Sequence, residues 1–501
     1  MSRGRVIIIG SGLGGLSCGV VLAKNGYDVT VLEQAMQPGG CLQCFTRRGA
    51  RFETGMHFIG SAAPGQTLDR LMHYLEVLPE VQLSQLDPMG YDIVGLQGEQ
   101  FAFANGREPF IEQLATRFPS QRDRLARYYD LVQQVAGASS LHSLKYAESD
   151  AAINTEFQLR SIDEVIGEVI TDPLLARVLV GNLPLYAAQR GKTPFSTHAF
   201  IMDFYNQSAH RIVGGSDAVA EALVRVIERH GGQVLTRHRV TRITCDDTHA
   251  TGVEVNGEQW LPADVVISDA HPMRTLELLD SHLIRPAFRS RVNTMPQTVG
   301  GFSVYLHFKP DEVPYMNHNY YGYMGDTPWD CEQYDAQSWP KGFLYMHFCH
   351  RPDPQFAHTG VILSYMHMRD VKQWADTTVG RRGEDYEAFK HEHAERLLDA
   401  VEFHFPHLRD HILHYYTSTP LTYRDYTGTQ DGSMYGIARD VALGAAGRVP
   451  HRTRVPNVLQ TGQNINSHGM LGVLVGTIVT CSELLTARHI YQQIMSSMDN
   501  E

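Results

Sequence analysis

This 501-residue sequence has no long basic run, and its net charge is −12. Nucleic acid is therefore not an expected partner, because phosphate backbones are bound by clustered Lys and Arg. Bulk charge does not favour an anionic membrane surface either, although a local patch stays open. The seven cysteines are odd in number and scattered from Cys18 to Cys481. That argues against a disulfide framework and for a reducing compartment. Cys41 and Cys44 make a C-x-x-C, but no second pair completes a zinc site, and no metal is expected. Small side chains packed near a cofactor are the reading preferred over a redox dithiol. The longest apolar stretch, 470–485, is broken by Gly, Thr and Ser. It reads as a buried helix, not a membrane span. The first strand begins almost at Met1, so no secretory leader is expected. The expectation is a cytoplasmic protein, with peripheral contact on the inner face of the membrane left open.

What is present begins at once. Val6–Ile9 is wholly apolar and β-branched, as suits a buried parallel strand. Gly10, Gly12 and Gly15 follow as G-x-G-x-x-G, then a helical run, then a second strand ending on Glu33. Gly10 lets the chain turn sharply, Gly12 lets a pyrophosphate approach the backbone, and Gly15 lets the helix lie close to the sheet. The helix N-terminus offers free N–H groups to phosphate. Glu33 stands where a carboxylate accepts hydrogen bonds from ribose hydroxyls. With strand, helix and acid all in place, the stretch is a dinucleotide site; the motif alone does not choose FAD over NAD.

Farther on, Pro38-Gly39-Gly40 is a turn that brings backbone close to a ligand. Arg47 and Arg48 follow, able to reach phosphate or simply to face water. Gly55 suggests another close approach. Residues 110–180 read as mainly helical, and 172–188 as unusually apolar, core before membrane lid. Gly214-Gly215-Ser216 opens a helix, Asn256-Gly257 marks a hairpin, and 263–268 returns to the first sheet. From 299 the pattern is antiparallel β. Tyr305-Leu306-His307, Tyr345-Met346-His347 and Tyr365-Met366-His367 would line one sheet face if their strands are neighbours. That face is either half-wet or a cavity wall. His404, His407, His411 and His414 recur at helical spacing, with Pro406 read as the helix start, and a solvated helix face is expected over a metal site. Residues 416–440 read as an ordered loop, and 456–485 as strand, glycine turn and long helix.

The opening fingerprint, PGG with ETGMHFIG, GGSDAVAEAL, ISDAHP and LQTGQNINSHGMLGVLVGT together resemble the flavin-dependent family of phytoene desaturases, carotenoid isomerases and retinol saturases. GMHFIG, STPLTYRDYTGT and TGQNINSHGMLG look most like its saturase and isomerase branch. One departure stands out: saturase-like proteins usually carry Tyr-Pro-basic before the paired glycines, where this chain has His210-Arg211-Ile212-Val213. Substrate and reaction direction stay open on that account.

The resemblance implies an α/β fold, with a Rossmann-like FAD-binding domain of the glutathione-reductase/amine-oxidase type. A discontinuous substrate domain of antiparallel sheet and helices accompanies it. Residues 1–90, 210–290 and 450–501 would form the first; 91–209 and 291–449 would form the second, with its helical cap. FAD is the implied cofactor. Gly10, Gly12, Leu13, Gly14, Gly15, Glu33, Gly39, Gly40, Arg47, Val240, Gly462, Gln463 and Gly472 are its implied contacts. Val240 would lie beside the adenine, and the helix from Gly469 would aim its N-terminus at the flavin. Met56, Phe58, Tyr305, Tyr345 and Tyr365 are candidates for the substrate wall. His57 and His468 are candidate proton-handling groups, each with a structural histidine as its alternative. The implied activity is saturation or cis–trans isomerisation of a polyene lipid, with an external electron donor or acceptor. Desaturation, an amine-oxidase-like reaction and flavin-dependent lipid binding without turnover are the alternatives.

Overall fold

Arg5–Ile9 is buried on both faces because it is the middle strand of a parallel sheet. A computed structural model describes residues 3–144 and 151–498. In it this sheet runs Gln233–Leu235, Asp28–Leu32, Arg5–Ile9, Val265–Ser268, Val458–Gln460, all parallel. The helices Leu13–Lys24, Asp217–Arg229 and Gly469–Leu485 share one apolar cluster against it. The expected hairpin is Ala250–Val255 with Gln259–Pro262, and Asn256 and Gly257 both take positive φ, 55° and 76°, at its turn. The architecture is α/β, a Rossmann-like layer with a second layer of antiparallel sheet and helices.

That second sheet has seven strands, in the order Ile412–Ser418, Gly300–Phe308, Thr359–Met366, Gly342–His347, Asn319–Tyr323, Asp92–Leu96, Glu99–Phe103. Helices including Arg107–Arg117, Arg122–Gly137, Ile162–Val169 and Phe195–Gln207 cap one face. Positions 145–150 of the expected helical stretch lie outside the described residues. The apolar stretch 172–188 is core: Leu175, Val178, Leu179 and Leu183 are buried in the cap cluster. The helix Glu384–Glu402 covers the other face. No helix among the described residues is long and apolar enough to cross a membrane.

Three expectations need correction. Tyr305 and Tyr365 do share the cap-side face, but Tyr345 points into the opposite cluster with Phe343 and Ile362. The register decides this: Tyr305 pairs with Val361, whereas Tyr345 pairs with Ile362, one residue out of phase. The histidines after Pro406 do not ride one helix. His407 takes a left-handed conformation, a short turn spans Leu408–His411, and the chain then enters the edge strand. Ile412, Tyr415, Tyr416 and Thr417 favour that strand over a helix. Finally, 416–440 is not all loop. Thr419 caps a helix, Pro420–Thr427, by accepting from the Leu421 N–H, with Pro at its first position and Gly428 in the left-handed conformation at its end.

Candidate active site

Gly10, at φ 95°, turns the chain out of the first strand. The next turns leave no space for side chains. A Cβ on Gly12 would stand 2.5 Å from an Asp269 carboxylate oxygen, and one on Gly15 would stand 2.1 Å from the Gly10 carbonyl. A Cβ on Gly14, one residue into the helix begun by Leu13, would meet the Gly462 backbone N at 2.8 Å. Gly39 donates its N–H to the Ser11 carbonyl at 2.9 Å, and a Cβ on Gly40 would lie 3.2 Å from the Gly12 Cα. Four turns thus converge, from 10–15, 39–40, 269 and 462–463. Glu33 stays at their edge. One of its oxygens accepts from the Ser11 N–H and hydroxyl, 2.9 and 2.6 Å, and the other from the Ala35 N–H at 2.7 Å. Val240 is buried in the apolar cluster that also holds Ile9 and Leu32. Gly472 lies in the long C-terminal helix, where a Cβ would strike Ser467. Arg47 departs from this set. It pairs with Ala50 in the last rung of a hairpin, exposed beside the Arg48–Gly49 turn, because the hairpin projects it away from the glycines.

Asp269 was not a sequence candidate. It follows the strand Val265–Ser268, and its carboxyl accepts from the N–H groups of Gly12 and Gly15. An anionic group thus already uses this helix N-terminus, the best direct sign that the loop holds anions. Burial pushes the Asp269 carboxyl up to about 7, with Glu33 adding to the rise and the two N–H groups opposing it.

Glycine cradle, helix start and ribose-type acid together describe a nucleotide site, and one comparison narrows it. A profile described as flavin containing amine oxidoreductase matches residues 13–469. The chain belongs to that family. It is 30% identical to the all-trans-retinol 13,14-reductase of Rattus norvegicus, over 98% of this chain and 87% of the relative. It is 23% identical to a prolycopene isomerase of an Oncidium hybrid cultivar, over 90% and 78%. An oxidoreductase structure from Methanosarcina mazei superposes with a TM-score of 0.65 at 16% identity, covering 95% of this chain and all of that one. This flavin oxidoreductase has residues that fit its cofactor, since a Cβ would collide at Gly12, Gly14 and Gly15 and the N–H groups of Gly12 and Gly15 face a carboxyl.

Beyond the cradle, this flavoenzyme assembles an aromatic wall. Tyr305 lies edge-on to Phe45, 5.0 Å between centroids, and its hydroxyl is 3.4 Å from Ser418 Oγ. Tyr435, unrecognised in the sequence, donates its hydroxyl to the Pro184 carbonyl at 2.9 Å and sets its ring 4.9 Å from His468. His468 precedes the helix Gly469–Leu485, and its Nε2 is buried without a partner among the described residues. Burial, reinforced by Arg439, brings its imidazole down to about 3. It is neutral at physiological pH, able to donate or accept a hydrogen bond but not a stored proton. His57 lies with Nδ1 3.3 Å from a Glu53 carboxylate oxygen and its ring 5.6 Å from Phe348. Phe58 packs on Tyr205 at 4.8 Å, while Met56 packs against the Rossmann-side cluster. Among the described residues no metal-binding group of three or more is assembled. His411 pairs with Glu312 and His414 with Arg48 instead.

The His210-Arg211 departure has a structural use. Arg211 is only 1% exposed. Its guanidinium donates to the His57 carbonyl (3.2 Å), the His318 carbonyl (3.3 Å) and Asn319 Oδ1 (2.8 Å). Asn319 in turn donates to Asp92, whose carboxyl burial raises to about 7. Arg211 therefore ties the His57 segment to the seven-stranded sheet. Replacing it with Met leaves three buried acceptors unpaired. Arg211→Met should cost about 3–5 kcal/mol in a chemical denaturation series; a loss within experimental error would show that water replaces the guanidinium.

Proposed function

We propose that this chain binds FAD and acts on carbon–carbon double bonds of a carotenoid- or retinoid-like polyene lipid, by saturation or cis–trans isomerisation. The observation that carries the reading is the apolar wall under the cap, where Tyr305, Met346, Leu363, Tyr365 and Met434 join one buried cluster with the cap helices. A polyene offers nothing to an ionic site, and its binding energy must come from apolar contact. The likeness to the rat retinol reductase and the Oncidium isomerase supports the same substrate class. FAD, rather than a mononucleotide, is supported by Glu33 at the end of the second parallel strand, the position from which a carboxylate accepts from an adenosine ribose. In this reading Gly10, Gly12, Leu13, Gly14 and Gly15 hold the pyrophosphate with Gly39 and Gly40. Gly462, Gln463 and the Gly469 helix start take the flavin half. The chain divides as the parallel sheet does, with the strands from 5–32, 233–268 and 458–460 on the cofactor side.

Bound flavin supplies the redox chemistry, hydride exchange at its N5. The protein supplies orientation and exclusion of water. His57, held by Glu53 and Arg211, and neutral His468 position hydrogen bonds at the reacting end. Saturation takes up two electrons and two protons per double bond, so it requires an external donor; isomerisation requires no net electrons. A polyene lipid has almost no aqueous pool, so collection at the inner face of a cytoplasmic membrane belongs to the same proposal.

The test uses FAD-loaded protein, photoreduced without oxygen and mixed with all-trans-retinol or a poly-cis carotenoid. Saturation reoxidises the flavin as one double bond is lost. Isomerisation changes the polyene spectrum with the flavin still reduced. Polyenes recovered unchanged, with the flavin spectrum static, would sink the proposal; turnover of an amine by the oxidised protein would replace it.

A further inference from the structure

Where the cap meets the sheet, a cleft of about 560 Å³ opens, and Glu332, His367, Arg369, Lys372 and Arg424 line it. A compartment of about 280 Å³ adjoins it, sharing Gln189, Glu332, His367 and Arg369. The two differ in character. The smaller one carries Leu183, Ala188, Trp329 and Tyr365, so it runs from a polar rim to the apolar wall. The Tyr365 hydroxyl donates to the Leu183 carbonyl at 3.3 Å, and Tyr435 donates to the next carbonyl, that of Pro184. The Tyr435 ring in turn lies tilted against His468, 4.9 Å between centroids. The cleft is thus linked, through two neighbouring tyrosines, to the head of the C-terminal helix.

The rim is cationic in a chain of net charge −12. Arg424 is committed to the Ala375 carbonyl and to Asp425. Arg369 is loosely engaged: it leans over the Tyr334 ring, donates to the Tyr334 carbonyl at 3.4 Å, is 63% exposed, and stands 3.7 Å from Asp370. Lys372 makes no ion pair among the described residues. Lys192 and Arg190 border the smaller compartment. Two acids, Glu332 and Asp431, line the cleft with them, and Glu332 is the one shared by both compartments. One of its oxygens accepts from Gln189 Nε2 at 2.8 Å, and the other, Oε1, is buried without a partner among the described residues. Burial raises its carboxyl above the usual range. Arg369 and Lys372, both at the mouth, are the cations this cleft offers to an anion.

We propose that the substrate is an anionic amphiphile, a polyene ending in a carboxylate. The carboxylate is held at this rim by Arg369 and Lys372 while the chain runs past Tyr365 and Tyr435 toward the cofactor. The proposal rests on the polyene reading and adds the end group to it. A single carboxylate matches the rim better than a phosphate, because Asp431, which also lines the cleft, would repel a second negative charge there. The neutral alcohol or hydrocarbon end of other polyenes would gain nothing from the Lys372 and Arg369 charges in the mouth.

The experiment titrates the FAD-loaded protein with all-trans-retinoic acid, all-trans-retinol and retinyl phosphate, reading quenching of tryptophan fluorescence. The acid should bind about tenfold tighter than the alcohol or more, the worth of one charge-assisted hydrogen bond. High salt should weaken the acid selectively. In the double variant Arg369→Gln, Lys372→Gln the acid-to-alcohol ratio should fall toward one; both side chains face solvent, so the fold is not at risk. Equal affinity for acid and alcohol, tighter binding of the phosphate, or an unchanged ratio in the variant would each overturn the end group and leave the polyene reading standing. Binding of none of the three would overturn the polyene reading with it.

Discussion

Gly12→Ala yields a folded protein that purifies without its flavin. The added Cβ stands 2.5 Å from the Asp269 carboxylate, and Gly12 already has the Gly40 turn at its back. Something must move, either the Asp269 carboxylate or the helix start that carries Gly12 against the 39–40 turn. If Asp269 swings away, the N–H groups of Gly12 and Gly15 lose the geometry that now binds its carboxyl. If the 39–40 turn moves, the Gly39 N–H leaves the Ser11 carbonyl. Either way the methyl also occupies the space through which a pyrophosphate reaches the backbone. Loss of two charge-assisted hydrogen bonds is worth about 3–6 kcal/mol, roughly a hundredfold or more in affinity. The wild type should show flavin absorption on purification, and added FAD should raise its Tm by mass action. The variant should show neither. Gly167→Ala is the control, a helical glycine with open space where its Cβ would go, and it should keep its flavin. Wild-type flavin content in Gly12→Ala would mean that the loop is a structural turn and the cofactor lies elsewhere.

That loop was the most legible part of the chain, because its chemistry is local. Glycines at fixed spacing, the strand before and the acid after are all within about thirty residues, and close approach demands glycine whatever the rest of the fold does. Parity between distant strands is another matter. Nothing near Tyr345 tells which residue of Thr359–Met366 it will face, and a slip of one residue moved it out of the expected wall. The run of histidines after Pro406 misled for a related reason. Their spacing is helical, but the edge strand was chosen by pairing with Gly300–Phe308 more than a hundred residues away. The helix Pro420–Thr427 was readable, since Thr-Pro before it and Gly428 after it are local signals; its Tyr and Thr content suggested loop and hid them. Asp269 and Arg211 belong to a third kind. Their neighbours in sequence are unremarkable, and their importance comes only from partners brought in by the topology, Gly12 for one and His57 and Asn319 for the other. A sharper reading of the rule that ligands gather at the carboxyl ends of parallel strands would have pointed to Asp269, because Val265–Ser268 adjoins the first strand.

Asp269 also carries the second large expected effect. Its carboxyl is fully enclosed and faces the N–H groups of Gly12 and Gly15, the acid Glu33 and the thiol of Cys41, which burial pushes up to about 11 and so keeps neutral. No cation is among the groups that shift it. Its value of about 7 in the folded protein lies above the ordinary 3.8, so the folded state holds the proton longer than the unfolded chain does. Cofactor-free protein therefore loses stability as pH rises from about 4 to about 7, by up to about 4 kcal/mol, and this contribution is flat above that window. A pyrophosphate near the same N–H groups adds negative charge and favours the protonated carboxyl further. Binding then takes up a proton above about pH 7, and FAD affinity should fall by up to tenfold per pH unit there. Asp269→Asn keeps the shape and removes the titration. Its FAD affinity, read by flavin fluorescence quenching, should be level between about pH 7 and about pH 9, and at the upper end tighter than that of the wild type. Parallel slopes for the two proteins would show that the carboxylate stays ionised with the cofactor in place, and that the N–H groups of Gly12 and Gly15 bind Asp269 and the pyrophosphate together.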